Sequence, residues 1–360
     1  MNDLLSIPCV LMRGGTSKGP FFLASDLPQD PAERDQVLLS VMGSGHPLQI
    51  DGIGGGNPVT SKVAICGPGT VPGADVDYLF AQVRVDRQIV DTSPNCGNML
   101  AAVGPFAIEA GLVPVAGETT LVKIFNVNTG KMIEAEVPTP NGAVAYLGDA
   151  RIDGVPGQAA PIALTFKDAA GARTGQLFPS GKSIETIAGI DVTCIDCAMP
   201  MLLIEAASLG VTGYESAAEL NGNHSLIERL EDLRILAGEK MGMGDVRSQV
   251  TPKPVLISQA RHGGALNVRY FMPNECHPSL ATTGAVGIAT ACVSENTVAS
   301  RLIGVQTPPV VLSIEHPSGH LDVKLQLRDG KLVAGILRTA RRLFEGHVFA
   351  KPAKTLVCAA

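Results

Sequence analysis

Four elements of this chain recur in the same order in its two halves, and such a recurrence restricts the fold more than any single motif can. In the first half, Ile7-Pro8-Cys9-Val10-Leu11-Met12-Arg13 reads as a strand that turns through Gly14-Gly15-Thr16-Ser17-Lys18-Gly19 and resumes as Phe21-Phe22-Leu23. Residues 30–42 carry apolar side chains at Val37, Leu38, Val41 and Met42, with Pro31 at the start and Gly43 at the stop, which predicts an amphipathic helix. A glycine-rich loop at 51–58 leads into Thr60-Ser61-Lys62-Val63-Ala64-Ile65, and residues 78–90 alternate as strands do. Asn95-Cys96-Gly97-Asn98 then opens an almost unbroken apolar run, 99–110, long enough to predict one buried helix.

The second half follows suit. Residues 194–204 stand for the opening strand pair, and 224–237, with Leu226, Ile227, Leu230 and Leu233, for the first helix. Pro252-Lys253-Pro254-Val255-Leu256-Ile257 aligns with residues 60–65, residues 265–272 form another strand, and the stretch from Cys276 to Gly284 opens an apolar helix at 285–293. The order predicts a duplicated α/β fold with one domain over residues 1–187 and another over 188–360, the last strand of the second being free to pack on the first.

A chain of 360 residues, 45% hydrophobic and 17% charged, can bury two cores. Forty glycines, 25 prolines and few aromatics suit many short strands joined by turns. The net charge of -6, without a Lys/Arg-rich block, argues against nucleic acid or an anionic membrane as partner, though a small anion can still bind locally. No apolar run reaches the about 18 residues of a membrane span, and residues 1–8 lack a basic segment followed by an apolar core, so a cytoplasmic protein is expected. The eight cysteines (Cys9, Cys66, Cys96, Cys194, Cys197, Cys276, Cys292, Cys358) are scattered, which predicts reduced thiols.

The two helix entries carry the main chemical hint. A helix N-terminus offers unpaired N–H groups, which suit a carboxylate or a developing enolate oxygen. Asn95, and Thr282 or Thr283, can equally be caps on structural helices. Cys96 sits at the first entry, where a thiolate is favoured, or it is an inert apolar residue. Lys62, at the start of an apolar strand, is a candidate general base in a dry cleft or else a solvated strand-end charge. Arg13-Gly14-Gly15-Thr16-Ser17 can present amides and hydroxyls to an anion or simply make a tight turn. The Gly54-Gly55-Gly56 loop satisfies neither the P-loop nor the dinucleotide fingerprint. Cys194 and Cys197 read as buried strand thiols, and the seven histidines show no ligand spacing, so no metal is expected. Among them His277 is best placed to meet an anionic substrate or to donate a proton.

The residues resemble a family. Met12-Arg13-Gly14-Gly15-Thr16-Ser17-Lys18-Gly19, Ile50-Asp51-Gly52-Ile53-Gly54-Gly55, Thr60-Ser61-Lys62-Val63, Asp75-Val76-Asp77-Tyr78-Leu79-Phe80, Asn95-Cys96-Gly97-Asn98, Asn128-Thr129-Gly130, Arg151-Ile152-Asp153-Gly154-Val155-Pro156-Gly157, Glu315-His316-Pro317-Ser318-Gly319 and Arg338-Thr339-Ala340-Arg341 are similar to motifs of the 4-oxalomesaconate tautomerase and 2-methylaconitate isomerase family. The likeness spans nearly the whole chain. It implies a diaminopimelate epimerase-like fold: two pseudo-symmetric domains, each a curved, mostly antiparallel sheet around a central helix, with the active site between them.

The resemblance further implies a proton and double-bond shift in a small unsaturated di- or tricarboxylate, with no metal or organic cofactor. Lys62 then matches the family's base and Cys96 its active-site cysteine. Diaminopimelate epimerases carry a second catalytic cysteine at the second helix entry, where this chain reads Ser279-Leu280-Ala281-Thr282-Thr283-Gly284, so a two-thiol racemase is not expected. Substrate carboxylates are expected at Gly15, Thr16, Ser17 and Ser61, at Asn95, Gly97 and Asn98, and at His277, Ser279, Thr282, Thr283 and Gly284. The favoured substrate is 4-oxalomesaconate, from aromatic-acid catabolism, with 2-methylaconitate in propionate metabolism as the alternative. A non-catalytic carboxylate-binding protein is the reading from another class, and a homodimer is compatible with all three.

Overall fold

The computed structural model describes residues 3–167, 169–272 and 274–352. They divide into two compact units, one made of residues 1–151, 157–164 and 338–360, the other of 152–156 and 165–337.

In the first unit the predicted hairpin forms as β1 (Leu5–Gly14) and β2 (Ser17–Leu23). It is followed by α1 (Pro31–Met42), whose start is capped by the Asp30 carboxylate accepting from the Glu33 amide and whose stop is Gly43 in the left-handed region. Then come β3 (Lys62–Pro68), β4 (Val76–Val83) and the two-residue β5 (Val90–Asp91), so residues 78–90 hold one strand and a short return. The apolar run that predicts one helix is two: α2 (Gly97–Leu100) and α3 (Val103–Glu109). Pro105 is the physical reason. Its nitrogen has no hydrogen for the Ala101 carbonyl and its ring crowds that group, so the helix restarts with Pro105 in the first turn of α3, where a proline is tolerated. The strands β6 (Thr119–Asn126) and β7 (Lys131–Pro138) complete the series, and residues 340–350 return to pair antiparallel with β1.

β8 (Ile162–Phe166) carries the chain from one unit to the other. The second unit contains β9 (Glu185–Ile187), β10 (Ile190–Cys197), β11 (Met199–Glu205), α4 (Ala217–Gly222), α5 (His224–Lys240), β12 (Lys253–Ser258) and β13 (Leu266–Tyr270). After them come α6 (Thr282–Val293), α7 (Val298–Ile303), β14 (Val310–His316), β15 (Gly319–Arg328) and β16 (Lys331–Arg338). The last described strand is β17 (Ala340–Ala350).

The duplication is explicit in the strand senses. In the first unit β1/β2 is antiparallel, β2/β3 parallel, β3/β4 antiparallel, β4/β6 parallel and β6/β7 antiparallel. The same alternation runs through β10/β11, β11/β12, β12/β13, β13/β14 and β14/β15. Each sheet is covered on one face by an amphipathic helix. α1 sets Val37, Leu38, Val41 and Met42 on Phe22, Val63, Ile65 and Ala81, while α5 sets Leu226, Leu230, Leu233 and Ala237 on Leu202, Ile204, Leu256 and Phe271. On the opposite face sit the apolar helices predicted from the sequence, with Phe106 of α3 5.5 Å from the Phe21 ring and α6 buried along nearly its whole length. This is the expected diaminopimelate epimerase-like mixed α/β architecture.

One alignment shifts. Residues 252–257 match residues 60–65 in order, which sets Pro254 opposite Lys62. Val63 and Ile65 face α1 as Leu256 faces α5, so by strand alternation Lys62 and Lys253 both point to the other face. Lys253, also the first residue of its strand and also buried, is therefore the counterpart of Lys62.

Arg234 of α5 is wholly buried and ties the chain between α5 and β12 to the helix. It pairs with Glu231 at 2.6 Å and donates to the carbonyls of Val246, Gln249 and Thr251. Arg234→Ala would strand those carbonyls, and a loss of about 3 kcal/mol of unfolding free energy is expected in urea titration.

Candidate active site

Lys62 opens β3 with 8% of its surface exposed. Its amine donates to Gln82 Oε1 at 2.7 Å and lies 5.1 Å from the centre of the Phe80 ring. The Gln82 amide is itself oriented, since its nitrogen donates to the carbonyls of Ser61 at 2.8 Å and Pro58 at 3.1 Å. The partner is a neutral amide, so no carboxylate locks the amine in an ion pair. Gln82 and Phe80 escape sequence inspection. They alternate on β4, but only the antiparallel register that sets Lys62 opposite Gln82 makes them neighbours of the lysine. Ser61 faces away into buried polar contacts, donating to the Val83 carbonyl and accepting from Gln49.

Cys96 is the N-cap residue of α2, buried but for 8% of its surface. Gly97 and Asn98 begin the helix, which places their N–H groups outside the intrahelical ladder. Because α2 spans one turn, these local amides, rather than a long macrodipole, supply the positive end. The Cys96 carbonyl accepts from the Leu100 amide and from the Tyr78 hydroxyl, Asn95 accepts from Asn126, and Asn98 donates to Thr16 Oγ1 at 3.0 Å. The β1–β2 turn is pressed on this entry. A side chain at Gly15, whose φ is +51°, would lie 2.4 Å from Asn98 Oδ1. The Gly15 amide donates to the Thr339 carbonyl, and the Arg13 guanidinium donates to Gly15 and Thr339. Arg13 therefore braces the turn. Ser17 Oγ is buried without a hydrogen-bond partner, an acceptor and donor held ready next to the braced turn.

In the second unit α6 begins at Thr282, with Ala281 as a cap that makes no side-chain hydrogen bond. Thr282, Thr283 and Gly284 are buried, Gly284 packs on the Tyr270 ring, and Thr283 Oγ1 has no partner. His277 Nδ1 accepts from the Ser279 amide at 2.9 Å, its own amide donates to the Tyr270 carbonyl, and its ring meets Tyr270 edge-on. The Ser318 hydroxyl donates to the Pro278 carbonyl, so the turn at 316–319 holds this entry loop. Cys276 turns instead into the apolar cluster beneath α5, where burial pushes its thiol up to about 12. Cys194 and Cys197 form no disulfide and stand three residues apart on β10, pointing to opposite faces, and Cys358 lies outside the described residues. Among the described residues no helix is long and apolar enough to cross a membrane, and no three His, Cys, Asp or Glu side chains gather as metal ligands would.

The duplicated fold is that of the epimerase-like class of proteins, here with a buried lysine and a cysteine at a helix entry in the first unit. Within it, residues 4–351 match the family described as PrpF protein, and the chain belongs to that family. It is 56% identical over 350 residues to the Escherichia coli K12 protein YbhH, covering 95% of this chain and 99% of that one. It is 51% identical over 344 residues to a 4-oxalomesaconate tautomerase of Pseudomonas putida, covering 95% of each. Among solved structures, a methylitaconate-delta-isomerase superimposes with a TM-score of 0.82 at 36% identity, over 100% of this chain and 99% of that one.

Gly15→Ala should cost about 1–2 kcal/mol from the left-handed backbone alone, more as Asn98 is displaced, and lower both the melting temperature and the activity. Cys276→Ala should leave turnover within about twofold of wild type.

Proposed function

We propose that this protein is an isomerase that moves a proton and a double bond within a small unsaturated polycarboxylate, with 4-oxalomesaconate the favoured substrate. The observation that carries this reading is Lys62, a buried amine oriented by an amide in a family whose relatives include a tautomerase of that substrate.

The geometry supports a division of labour. The amine of Lys62, in its neutral form, takes a proton α to a carbonyl or γ to a carboxylate, and the C–H electron pair moves through the conjugated system onto an oxygen. The resulting dienolate oxygen is held by the Gly97 and Asn98 amides and the Ser17 hydroxyl. Lys62, Cys96 or a water returns a proton to another carbon or to oxygen, and the double bond has moved without net oxidation or loss of atoms. The second unit's Thr282, Thr283, Gly284, His277 and Ser279 are assigned a carboxylate on the same grounds: backbone amides at a helix start, an unpartnered buried hydroxyl and a buried imidazole.

Proton NMR in deuterium oxide tests this reading with 4-oxalomesaconate and, separately, 2-methylaconitate. Deuterium should enter one carbon of the first as it isomerises, whereas turnover of the second alone would move the assignment to that substrate. Lys62→Ala should lower turnover by at least about three orders of magnitude, Cys96→Ser by less, and Gln82→Ala by about tenfold. Unaltered exchange in the Lys62 variant would sink the mechanism, and binding of both compounds without exchange would favour a carboxylate-binding protein.

A further inference from the structure

The second unit holds a cavity of about 500 Å3 to which none of the residues assigned above to Lys62 chemistry contributes. Its wall includes Arg261, Arg269, Tyr214, His262, Asn267 and Glu315. Asn267 and Arg269 share a face of β13 with Phe271, which packs under α5, whereas Tyr270 turns the other way onto Gly284 of α6. The cavity thus opens on the opposite side of the sheet from the α6 entry.

Its polar groups are unevenly spent. Both oxygens of Glu315 are occupied, Oε1 by the amides of His262 and Gly264 and Oε2 by that of Arg261, at 2.6–3.0 Å. Glu215 is likewise consumed by the amides of Thr212 and Gly213 and by the Thr212 hydroxyl, and Asp153, against the His320 edge, accepts from the His320 amide and pairs with its ring. The donors are not used up. The Arg261 guanidinium carbon stands over the Tyr214 ring, 3.3 Å from its centre, and among the described residues no protein acceptor takes its N–H groups. Tyr214 is anchored by donating to the Gln259 carbonyl, so the stack has a fixed base. Arg269, 6% exposed, donates Nε to the Glu215 carbonyl and Nη1 to Asn267 and Val268, and among the described residues nothing engages Nη2.

We infer that this cavity is a second ligand site, for a small polycarboxylate gripped by the guanidinium edges of Arg261 and Arg269. Two planar forks match the two-oxygen geometry of carboxylates, and stacking fixes the Arg261 plane before a ligand arrives, which lowers the ordering cost of binding. A space of about 500 Å3 is far larger than one inorganic ion needs and fits a di- or tricarboxylate. The Glu315 carboxylate acts as a positioning group. By collecting three amides it shapes the 261–264 loop that presents Arg261, and those amides offset its own charge.

Isothermal titration of the full chain with citrate, and separately with inorganic phosphate, tests the assignment. Citrate should bind the wild type and the Lys62→Ala variant, and Arg261→Ala should weaken one binding event about 10- to 100-fold while turnover without citrate stays within about twofold. Arg261→Lys, which keeps the charge and loses the fork, should recover little of that affinity. Citrate binding unchanged in Arg261→Ala, or none at millimolar concentration, would overturn the site. Phosphate binding as tightly as citrate would overturn its polycarboxylate character.

Discussion

The missing side chain of Gly19 is the constraint on which the first unit's chemistry rests. A β-carbon there would lie 1.8 Å from the Lys62 carbonyl oxygen, a separation no non-bonded pair tolerates. The β1–β2 hairpin therefore seats directly on the residue that carries the amine. At its turn the same hairpin seats on α2, since a β-carbon at Gly14 would meet the Asn98 carbonyl at 2.5 Å. One rigid ribbon thus touches both the strand bearing Lys62 and the turn bearing Cys96, and Arg13 braces it from behind. Main-chain contacts of this kind hold a catalytic geometry more tightly than side-chain packing can, because backbone atoms have no alternative rotamers.

Much of the fold is legible in the sequence because the same short series of patterns is used twice. Asp30, Pro31 and Gly43 delimit α1 by capping chemistry that needs no tertiary context, and the hairpin is marked by its glycines. Two features escape such reading for opposite reasons. The break between α2 and α3 is a local effect of Pro105, hidden by the apolar run in which it stands. The equivalence of Lys253 with Lys62 is non-local. Strand alternation makes a one-residue alignment error exchange the two faces of a sheet, and only the residues packed beneath α1 and α5 reveal the parity.

The candidate site divides along the same line. Lys62, Cys96 and the residues of the helix entries stand in recognisable motifs, and the structure adds their burial and their hydrogen-bond partners. Gln82 stands in no motif and Phe80 only ends one, and their place beside Lys62 becomes visible only through the register of β3 and β4. The motif Glu315-His316-Pro317-Ser318-Gly319 shows a further limit, for its residues serve two places at once. Ser318 steadies the loop before α6, while Glu315 folds the loop that presents Arg261. A short sequence motif need not describe one site.

The pairing of β1 with β17 has a consequence for how the protein comes into being. Beyond its hairpin partner β2, strand β1 gains its second neighbour only when residues 340–350 follow, and Lys351 then ties to Ser40 and Asp51. The second unit, lying between, has all its strands by residue 337. The half that is read later can therefore complete its core first, while the half carrying Lys62 and Cys96 waits with one edge of its sheet open. During synthesis the first unit is thus the vulnerable one until its β17 edge is in place.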